Sequence, residues 1–476
     1  MKQAPFLGNG IASKSSAVTR QRRVNVYLEN REDTDKTTIV AYGTPGLVKL
    51  FTLATVVRGI LGTSSKLYAV SAGTFYQLSA AGATLYSAPV NSVYGYVSMA
   101  VNPSQVLIVD GVNGYIYSSG VLAAIAAPAF PNGAKTCTFV SSYFVVEQPG
   151  SQNFWVSAVN DGTTWPSLAF SAASQYEDNI LAVDGYIANL VLFSERHTEF
   201  WQAGTAVPQP FQPLLSATSE YGLDAIFSRA HIDNSLIFSA HNPQGTTQIC
   251  RIVGYEVVVI STPDLDNLIA SFPVTSDAVA IAYVVDGHPM YQITFPSAIA
   301  GGNGRSFLYD CLSGVWSEVQ TGLTPQYAQR HTANLATFFA GETIVTDYAN
   351  GNVYQFSTSQ YTDNGTTILR EICTRHASEN FNVFTIDEVY LDMETGVGLN
   401  SGQGSNPQIS LEVSKDNGRT FTLQPVSYIG ALGNYLMRVL WRRFGSARDF
   451  VFRIRMTDPV KFVITAGAIS AREVPQ

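Results

Sequence analysis

Charged residues are scarce in this chain of 476 residues, in which Asp, Glu, Lys and Arg together make up 13%, whereas about 25% is usual in soluble domains. Apolar residues reach an ordinary 46%, and both Tyr (24) and Phe (26) are plentiful. Such a composition indicates an ordered, β-rich chain. Its small charged surface fits a large face buried against partners and equally fits a large all-β core.

An excess of basic residues is also missing. The chain has 28 Lys and Arg against 36 Asp and Glu, and its net charge is −8 with His neutral. This balance argues against a protein whose main task is to grip phosphate backbones, because that task needs a positive surface potential.

Cysteine is rare, and its spacing excludes two common uses. The four cysteines are far apart and form no C-x-x-C pair, so we predict buried free thiols rather than a disulfide scaffold or a zinc site. They are Cys137, Cys250, Cys311 and Cys373.

Long apolar segments and targeting signals are absent as well. No run of ~18 apolar residues occurs, and the N-terminal "MKQAPFLGNGIASK" lacks the apolar core of a signal peptide. We therefore expect a protein that is made in the cytoplasm and does not span a membrane.

Catalytic signatures are missing too. The sequence contains no G-x-S-x-G, no H-E-x-x-H and no G-x-x-x-x-G-K, and its six histidines occur singly. Turns such as "YTDNGTT" could hold calcium only weakly, because too few carboxylates cluster there. We predict no enzyme, no cofactor and no metal site.

A repeated phrase fills residues 38–376. A β-rich run, a turn of Gly, Asn, Asp or Ser and an aromatic-containing run recur, as in "QVLIVDGVNGYIYSS" and "ETIVTDYANGNVYQF". Most spacings are roughly 37 to 47 residues, the period of a four-stranded propeller blade. The sequence predicts a β-propeller of about seven blades, with six or eight as alternatives and stacked β-sandwiches as the rival fold.

Two further regions flank the repeats. Residues 1–37 are polar and mixed in charge, and they read as an extended N-terminal arm. Residues 377–476 alternate as strands and predict a C-terminal antiparallel β-sandwich that forms an assembly platform together with the arm. The predicted fold class is therefore all-β.

Arginine is concentrated in "RVLWRRFGSARDFVFRIR" at residues 438–455. We expect a hairpin with "GSARD" as its turn, whose apolar face packs the sandwich and whose arginines face another subunit. A solvated strand face, a DNA contact and catalysis are the alternatives. The candidate assembly-interface residues, with three from the arm, are Arg438, Arg442, Arg443, Arg448, Arg453, Arg455, Arg20, Arg22 and Arg23.

Two segments resemble the Asp-box pattern S-x-D-x-G-x-T-W/F, which is known from sialidases and other propeller proteins. "SKDNGRTF" at residues 414–421 fits fully, whereas "AVNDGTTW" at residues 158–165 has Ala and Asn for the Ser and Asp. We expect structural hairpin turns, although a propeller glycoside hydrolase or depolymerase stays an alternative. The predicted turn residues are Asn160, Gly162, Trp165, Asp416, Gly418 and Phe421.

Both ends of the chain resemble phage proteins. "SKSSAVTRQRRVNVYLENRE…YGTPGLVKLF", at residues 13–51, resembles the opening of many phage structural proteins. "RVLWRRFGSARDFVFRIRMTDPVKFVITAGAISA", at residues 438–471, is similar to the C-terminal signature of the packaged-DNA stabilisation proteins. Those are the tail accessory, hub or nozzle proteins of short-tailed phages.

The resemblance implies a structural virion protein made in the host cytoplasm. Its copies would form a homohexameric ring below the portal and adaptor, extending the channel through which double-stranded DNA passes without sequence-specific binding. The ring would retain the packaged genome and anchor tail fibres, tailspikes or a needle. The competing hypothesis from a different class is a propeller that binds glycans or proteins, or hydrolyses glycans.

Overall fold

A computed structural model of the chain describes residues 2–3, 10–31, 38–173, 175–302, 304–323, 329–379 and 382–473. Strands dominate these residues, which contain one α-helix, α1 (Pro263–Ile269), and one 3-10 helix, Ile226–Ser228. Neither helix, in this described part of the chain, has the length and hydropathy needed to span a membrane. All four cysteines are free, and only Cys311 is less than fully buried.

Five strands precede the first propeller sheet. They are β1 (Lys2–Gln3), β2 (Arg22–Val24), β3 (Val26–Asn30), β4 (Ile39–Gly43) and β5 (Gly46–Thr52).

The repeats form seven sheets of antiparallel strands within the described residues. The first three consist of β6 (Val57–Gly62), β7 (Leu67–Ser71), β8 (Thr74–Leu78) and β9 (Thr84–Pro89); β10 (Ser98–Val101), β11 (Gln105–Val109), β12 (Gly114–Ser118) and β13 (Val121–Ala124); and β14 (Cys137–Val140), β15 (Tyr143–Glu147), β16 (Asn153–Val156) and β17 (Phe170–Ala172).

The fourth and fifth sheets follow the same plan. They consist of β18 (Ile180–Tyr186), β19 (Asn189–Ser194), β20 (Thr198–Ala203) and β21 (Phe211–Ser219); and of β22 (Gly222–Leu223), β23 (Ala230–Ile232), β24 (Ser235–His241), β25 (Thr247–Val253) and β26 (Glu256–Val259).

The last two sheets connect to other parts of the chain. They contain β27 (Val279–Val285), β28 (His288–Phe295), β29 (Arg305–Asp310) and β30 (Val315–Val319); and β31 (Ala333–Phe339), β32 (Glu342–Asp347) and β33 (Asn352–Ser357). The seventh sheet takes its fourth strand from the start of the chain, because β5 pairs antiparallel with β33.

The seven sheets close into a ring. A buried apolar cluster lies between each sheet and the next, and the last of these joins Val353 of the seventh sheet to Leu67 of the first. Strand β31 also contacts β6 directly. The predicted β-propeller is confirmed, and β5, which precedes the first propeller sheet in sequence, closes the ring by pairing with β33 of the seventh sheet.

The C-terminal region adds eleven strands. They are β34 (Thr362–Asp363), β35 (Thr366–Thr367), β36 (Arg370–Cys373), β37 (Ala377–Ser378), β38 (Phe384–Met393), β39 (Gln408–Ser414), β40 (Thr422–Leu423), β41 (Ser427–Tyr428), β42 (Val439–Ala447), β43 (Asp449–Met456) and β44 (Val463–Glu473).

Two sheets face each other in a β-sandwich. One has the order β3-β4-β44-β38-β42, and the other contains β2, β36, β43, β39 and β40. Side chains from both sheets, among them Val26, Trp441 and Phe452, form one buried core. Strands β2 and β3 lie in the segment predicted as an extended arm, and the structure places them inside this sandwich.

The propeller and the sandwich share a sheet. Strand β2 pairs antiparallel with β36 and parallel with β30, the outer strand of the sixth propeller sheet. An eleven-stranded sheet therefore runs from the propeller into the sandwich.

The predicted hairpin at residues 438–455 is wrong. Strand β42 pairs with β38, whereas β43 pairs with β36 and β39, so the two strands lie in opposite sheets of the sandwich. Both strands have an apolar face, and placing them in facing sheets lets Phe444 and Phe450 pack into one core. Only Arg448 separates the two strands.

Candidate functional site

The shared sheet carries a chain of alternating charges on one face. Strands β29, β30, β2, β36, β43 and β39 lie side by side, and each contributes arginine or glutamate side chains that meet those of its neighbours. We call this set the ladder. Its residues, in the order in which their side chains contact one another, are Arg305, Glu318, Arg22, Glu371, Arg455, Glu412 and Arg453.

The propeller half of the ladder is centred on Glu318. Its carboxylate accepts hydrogen bonds from Arg22 Nε at 2.8 Å and Arg22 Nη2 at 2.9 Å, and from Arg305 Nη2 at 2.9 Å. Such a two-pronged pairing is the strongest geometry available to an arginine and a carboxylate. It connects the sixth propeller sheet to β2.

The sandwich half continues from Glu371. Arg22 Nη1 lies 3.5 Å from Glu371 Oε1, and Arg455 Nε donates to Glu371 Oε2 at 2.7 Å. Arg455 Nη1 then donates to Glu412 Oε1 at 2.9 Å, and Arg453 Nε donates to Glu412 Oε2 at 2.8 Å. Every carboxylate of the ladder thus contacts two guanidinium groups.

Burial and charge together set the ionisation of the ladder. Burial would raise the pKa of Glu318, but Arg22 and Arg305 outweigh it and lower that pKa to about 2. Burial would likewise lower the pKa of Arg22, but Glu318 raises it above its ordinary value. Glu318 and Arg22 are therefore both charged at neutral pH.

Arg23 and Asn25 hold the same junction from the other side of β2. Arg23 is buried, its Nη2 donates to the carbonyl of Trp316 at 3.0 Å, and burial lowers its pKa to about 10. Asn25 has φ +53° and is only 1% exposed. This left-handed residue ends β2 and turns the chain into β3, in the opposite sheet of the sandwich.

The Asn25 side chain bonds to both domains. Its Nδ2 donates to the carbonyls of Gln320, at 2.9 Å, and Leu369, at 2.8 Å, while its Oδ1 accepts from the Gln320 amide at 2.9 Å. Its own carbonyl accepts from the amide of Thr44 at 3.0 Å. Asn25 is therefore the point at which the end of the sixth propeller sheet, the sandwich and the β4–β5 turn meet.

The structure divides the nine predicted interface arginines into two groups. Three are ladder members, Arg23 is buried beside the ladder, and Arg20 donates from Nε to the carbonyl of Gly418 at 3.0 Å. Those exposed on the sandwich are Arg438, Arg442, Arg443 and Arg448. Of these, Arg442 pairs with Glu388 at 2.7 Å and keeps its side chain 65% exposed.

Sequence reasoning missed the glutamates and Asn25. Arg22 is separated from Glu318 by 296 positions and from Glu371 by 349 positions, so no local spacing signals these pairs. A signal for Asn25 did exist, because the Val-Asn-hydrophobic-Tyr stretch that resembles phage proteins contains it at residues 24–27.

The complete Asp box is a closed turn beside the ladder. Asp416 accepts hydrogen bonds from the amides of Arg419 and Thr420, and the Gly418 amide donates to Ser414 Oγ at 2.9 Å. Phe421 lies under Arg453, whose guanidinium carbon is 4.0 Å from the ring centre. The turn therefore supports a ladder arginine.

The degenerate Asp box uses a different residue from the one predicted. Asp161, not Asn160, closes the turn, since its Oδ1 accepts from the amide of Thr163 at 3.0 Å and from its hydroxyl at 2.6 Å. Burial would raise the pKa of Asp161, but the hydrogen bonds from Thr163 outweigh burial and lower that pKa to about 2. Trp165 Nε1 donates to the Gly162 carbonyl at 2.8 Å.

Replacing Asp161 by Ala should lower the free energy of unfolding by about 1–2 kcal/mol, because the three hydrogen bonds that its carboxylate accepts from Thr163 and Gln105 are lost. The matched control is Asn160→Gly, which should change stability by less than about 0.5 kcal/mol because glycine tolerates the φ of +53° at this position. Thermal unfolding of both variants measures the difference. An equal loss for both would mean that the turn depends on Asn160 after all.

A cleft of about 490 Å³ lies where the first and seventh propeller sheets meet. Two arginines line it: Arg58 donates to the carbonyls of Ala72 and Ser92, and Arg330 donates to Asn334 Oδ1 at 2.7 Å. No described lining residue is a carboxylate. Glycoside hydrolysis ordinarily needs a carboxylate pair, so this cleft gives the hydrolase alternative no support.

No group of three or more His, Cys, Asp or Glu side chains in the described part of the chain is arranged to hold a metal ion.

The fold and the junction define a two-domain structural β-propeller protein, in which a closed propeller and a sandwich share one sheet. Two family models match almost the entire chain: bacteriophage P22 Gp10, β-propeller, over residues 7–361, and bacteriophage P22 Gp10, β-sandwich, over residues 369–472. The chain belongs to the bacteriophage P22 Gp10 family. It is a structural tail protein of a short-tailed phage virion.

Comparison with curated proteins gives no match. Solved structures similar to this chain include one titled as the mitotic checkpoint complex (12% identity, TM-score 0.41, 69% of this chain and 96% of that one). The Pan2 WD40 domain of Neurospora crassa is similar over 68% of this chain and 98% of its own, with 11% identity and a TM-score of 0.40. BamB from Moraxella catarrhalis is similar over 72% of this chain and 96% of its own, with 10% identity and a TM-score of 0.40.

Proposed function

We propose that this chain forms a hexameric hub ring below the portal and adaptor, where it extends the DNA channel and retains the packaged genome. The observation that carries the proposal is the continuous sheet and its ladder, which bind the propeller to the sandwich. A ring that holds packaged DNA on one side and tail appendages on the other has to transmit force through each subunit. The ladder has one end in the propeller and the other in the sandwich, so it can transmit force between the two domains.

The charge distribution supports the same role. The chain carries a net charge of −8, so DNA could pass a ring of such chains without the counterion-release affinity that a basic wall would create. The low charged content also suits a subunit that buries much of its surface against neighbours. We propose the adaptor, and tail fibres, tailspikes or a needle, as its partners.

The exposed arginines of the sandwich are the proposed contacts with a neighbouring subunit or the adaptor. Arginine suits such contacts because its planar fork binds carboxylates with two hydrogen bonds. Arg442 and Arg443 are both exposed and adjacent on β42, and Arg443 lies at a bulge where φ is +68°. A bulge turns its side chain away from the regular strand direction.

Replacing Arg442 and Arg443 together by Ala should reduce ring formation at least tenfold while the monomer stays folded. The control is Arg196→Ala, which removes an exposed arginine from the propeller and should leave assembly unchanged. Analytical ultracentrifugation and reconstitution with the adaptor measure the effect, and circular dichroism checks folding. Normal rings from the double variant would show that these arginines are not assembly contacts.

A further inference from the structure

A cleft of about 290 Å³ opens beside the sandwich half of the ladder. Four of its lining side chains are arginines, and its lining includes one carboxylate, Glu371, among the described residues. The arginines are Arg20, Arg22, Arg453 and Arg455. By comparison, the cleft between the first and seventh propeller sheets is lined by two arginines, Arg58 and Arg330.

Several guanidinium nitrogens in this cleft have no partner among the described residues. Arg20 uses only Nε, on the carbonyl of Gly418. Arg453 uses Nε and Nη2 on Glu412, and Arg455 uses Nε and Nη1 on two glutamates. None of the remaining nitrogens is among the buried unpaired atoms of the described chain. They are therefore open to solvent, and they belong to side chains that line the cleft.

The charges here do not balance. The ladder holds four arginines and three glutamates, and Arg20, which has no carboxylate partner in the described chain, adds a further positive charge. Arg20, Arg22 and Arg453 all act on the thiol of Cys373, whose pKa burial nevertheless raises to about 12. These three arginines and Cys373 all line the cleft.

The Asp box holds two of these arginines in place. Gly418 has φ +75°, and a Cβ there would lie 2.4 Å from Arg20 Cγ, so only glycine lets Arg20 pack against the turn. On the other side, Phe421 lies under the guanidinium of Arg453. Stacking on a ring fixes the plane of a guanidinium and leaves its edge free to bind an anion. The cleft is therefore built before any ligand arrives.

We propose that this cleft binds a carboxylate side chain presented by an acidic segment of a partner protein. Arg20 keeps both Nη1 and Nη2 without a partner among the described residues, and such a pair is the fork that a carboxylate accepts. Its volume is near the lower limit for small-molecule sites, roughly 300 Å³, which suits a single side chain. A nucleic acid fits poorly, because Glu371 lies in the lining and the whole chain is acidic. That the partner is a virion protein rests on the proposed function, whereas the affinity for a carboxylate does not.

The test uses the full-length chain and a fluorescein-labelled hexaglutamate peptide, followed by fluorescence polarisation at low salt. Arg20→Gln should weaken binding about tenfold, because one charge-assisted hydrogen-bonding group is lost. Arg20→Lys should weaken it less, since the charge stays but the planar fork is lost. The control Arg196→Gln, far from the cleft in sequence and exposed on the propeller, should leave binding unchanged.

Two results would overturn the proposal. One is equal peptide affinity for the wild type, Arg20→Gln and Arg20→Lys. The other is tighter binding of a short DNA duplex than of the peptide, with the steep salt dependence of phosphate contacts. If Arg20→Gln melts well below the wild type, Arg20→Lys decides the matter alone. Binding by the isolated chain together with its absence from virions would refute the proposed function and leave this cleft supported.

Discussion

Replacing Glu318 by Gln is expected to lower the free energy of unfolding by about 3–5 kcal/mol, which is typical when one partner of a buried ion pair is removed. The amide leaves Arg22 and Arg305 without the carboxylate that both contact. Because Glu318 lies on β30 and Arg22 on β2, the loss weakens the connection between propeller and sandwich. Urea and thermal unfolding measure this change in the free energy of unfolding. We expect the wild type to unfold more cooperatively than this variant.

The pH dependence of stability should reveal the same group. The pKa of Glu318 is lowered from 4.5 to about 2 in the folded chain. Its contribution is therefore fully present above about pH 4.5 and is lost as the pH falls towards 2. The difference in stability between wild type and Glu318→Gln should shrink over this window. A difference that stays constant from pH 7 to pH 2 would show that ionised Glu318 is not what stabilises the junction.

The control for Glu318→Gln is Glu388→Gln. Glu388 also pairs with an arginine, Arg442, but at the surface of the sandwich. Exposed ion pairs contribute little, since water and salt screen them. We expect a barely measurable change. Equal losses of unfolding free energy in Glu318→Gln and Glu388→Gln would show that the buried ladder stabilises the chain no more than a surface ion pair does.

Replacing Asn25 by Ala should lower the free energy of unfolding by about 3–5 kcal/mol. The change leaves the carbonyls of Gln320 and Leu369 and the amide of Gln320 without the Asn25 side chain. An unsatisfied buried polar group costs about 1–3 kcal/mol. Alanine also has to adopt the left-handed conformation of φ +53°, which costs about 1–2 kcal/mol.

Asn25→Gly separates the two causes. Glycine accepts the left-handed conformation without strain, so this variant should lose only the part due to the hydrogen bonds and should be about 1 kcal/mol more stable than Asn25→Ala. Thermal unfolding of the two variants beside the wild type measures both contributions. Unfolding free energies within 1 kcal/mol of the wild type for Asn25→Ala would contradict the role of this residue as the meeting point of the domains.

The propeller could be predicted from sequence because its information is local. Each hairpin carries its own turn residues, such as Asp110, whose carboxylate accepts from the amides of Val112 and Asn113, and the period repeats along the chain. The closure of the ring by β5 was not predicted, because its pairing with β33 joins segments at opposite ends of the propeller.

The junction was only partly predictable. The concentration of arginine was visible, but the choice between an internal and an external partner depends on glutamates hundreds of positions away, such as Glu318. The hairpin prediction failed for a related reason: adjacency in sequence suggested pairing, whereas the apolar faces of β42 and β43 pack against each other from opposite sheets. In the degenerate Asp box, sequence alignment to the pattern pointed to Asn160, but the carboxylate at position 161 makes the stronger turn.

Electron cryomicroscopy of purified virions, or of the recombinant protein with the adaptor, would show where this chain lies in the tail. We expect a hexameric ring of this chain below the portal and adaptor, with the sandwich and its exposed arginines at the adaptor side and the propeller pointing outward. Virions that lack this chain, or a chain that never joins the portal–adaptor ring, would contradict it.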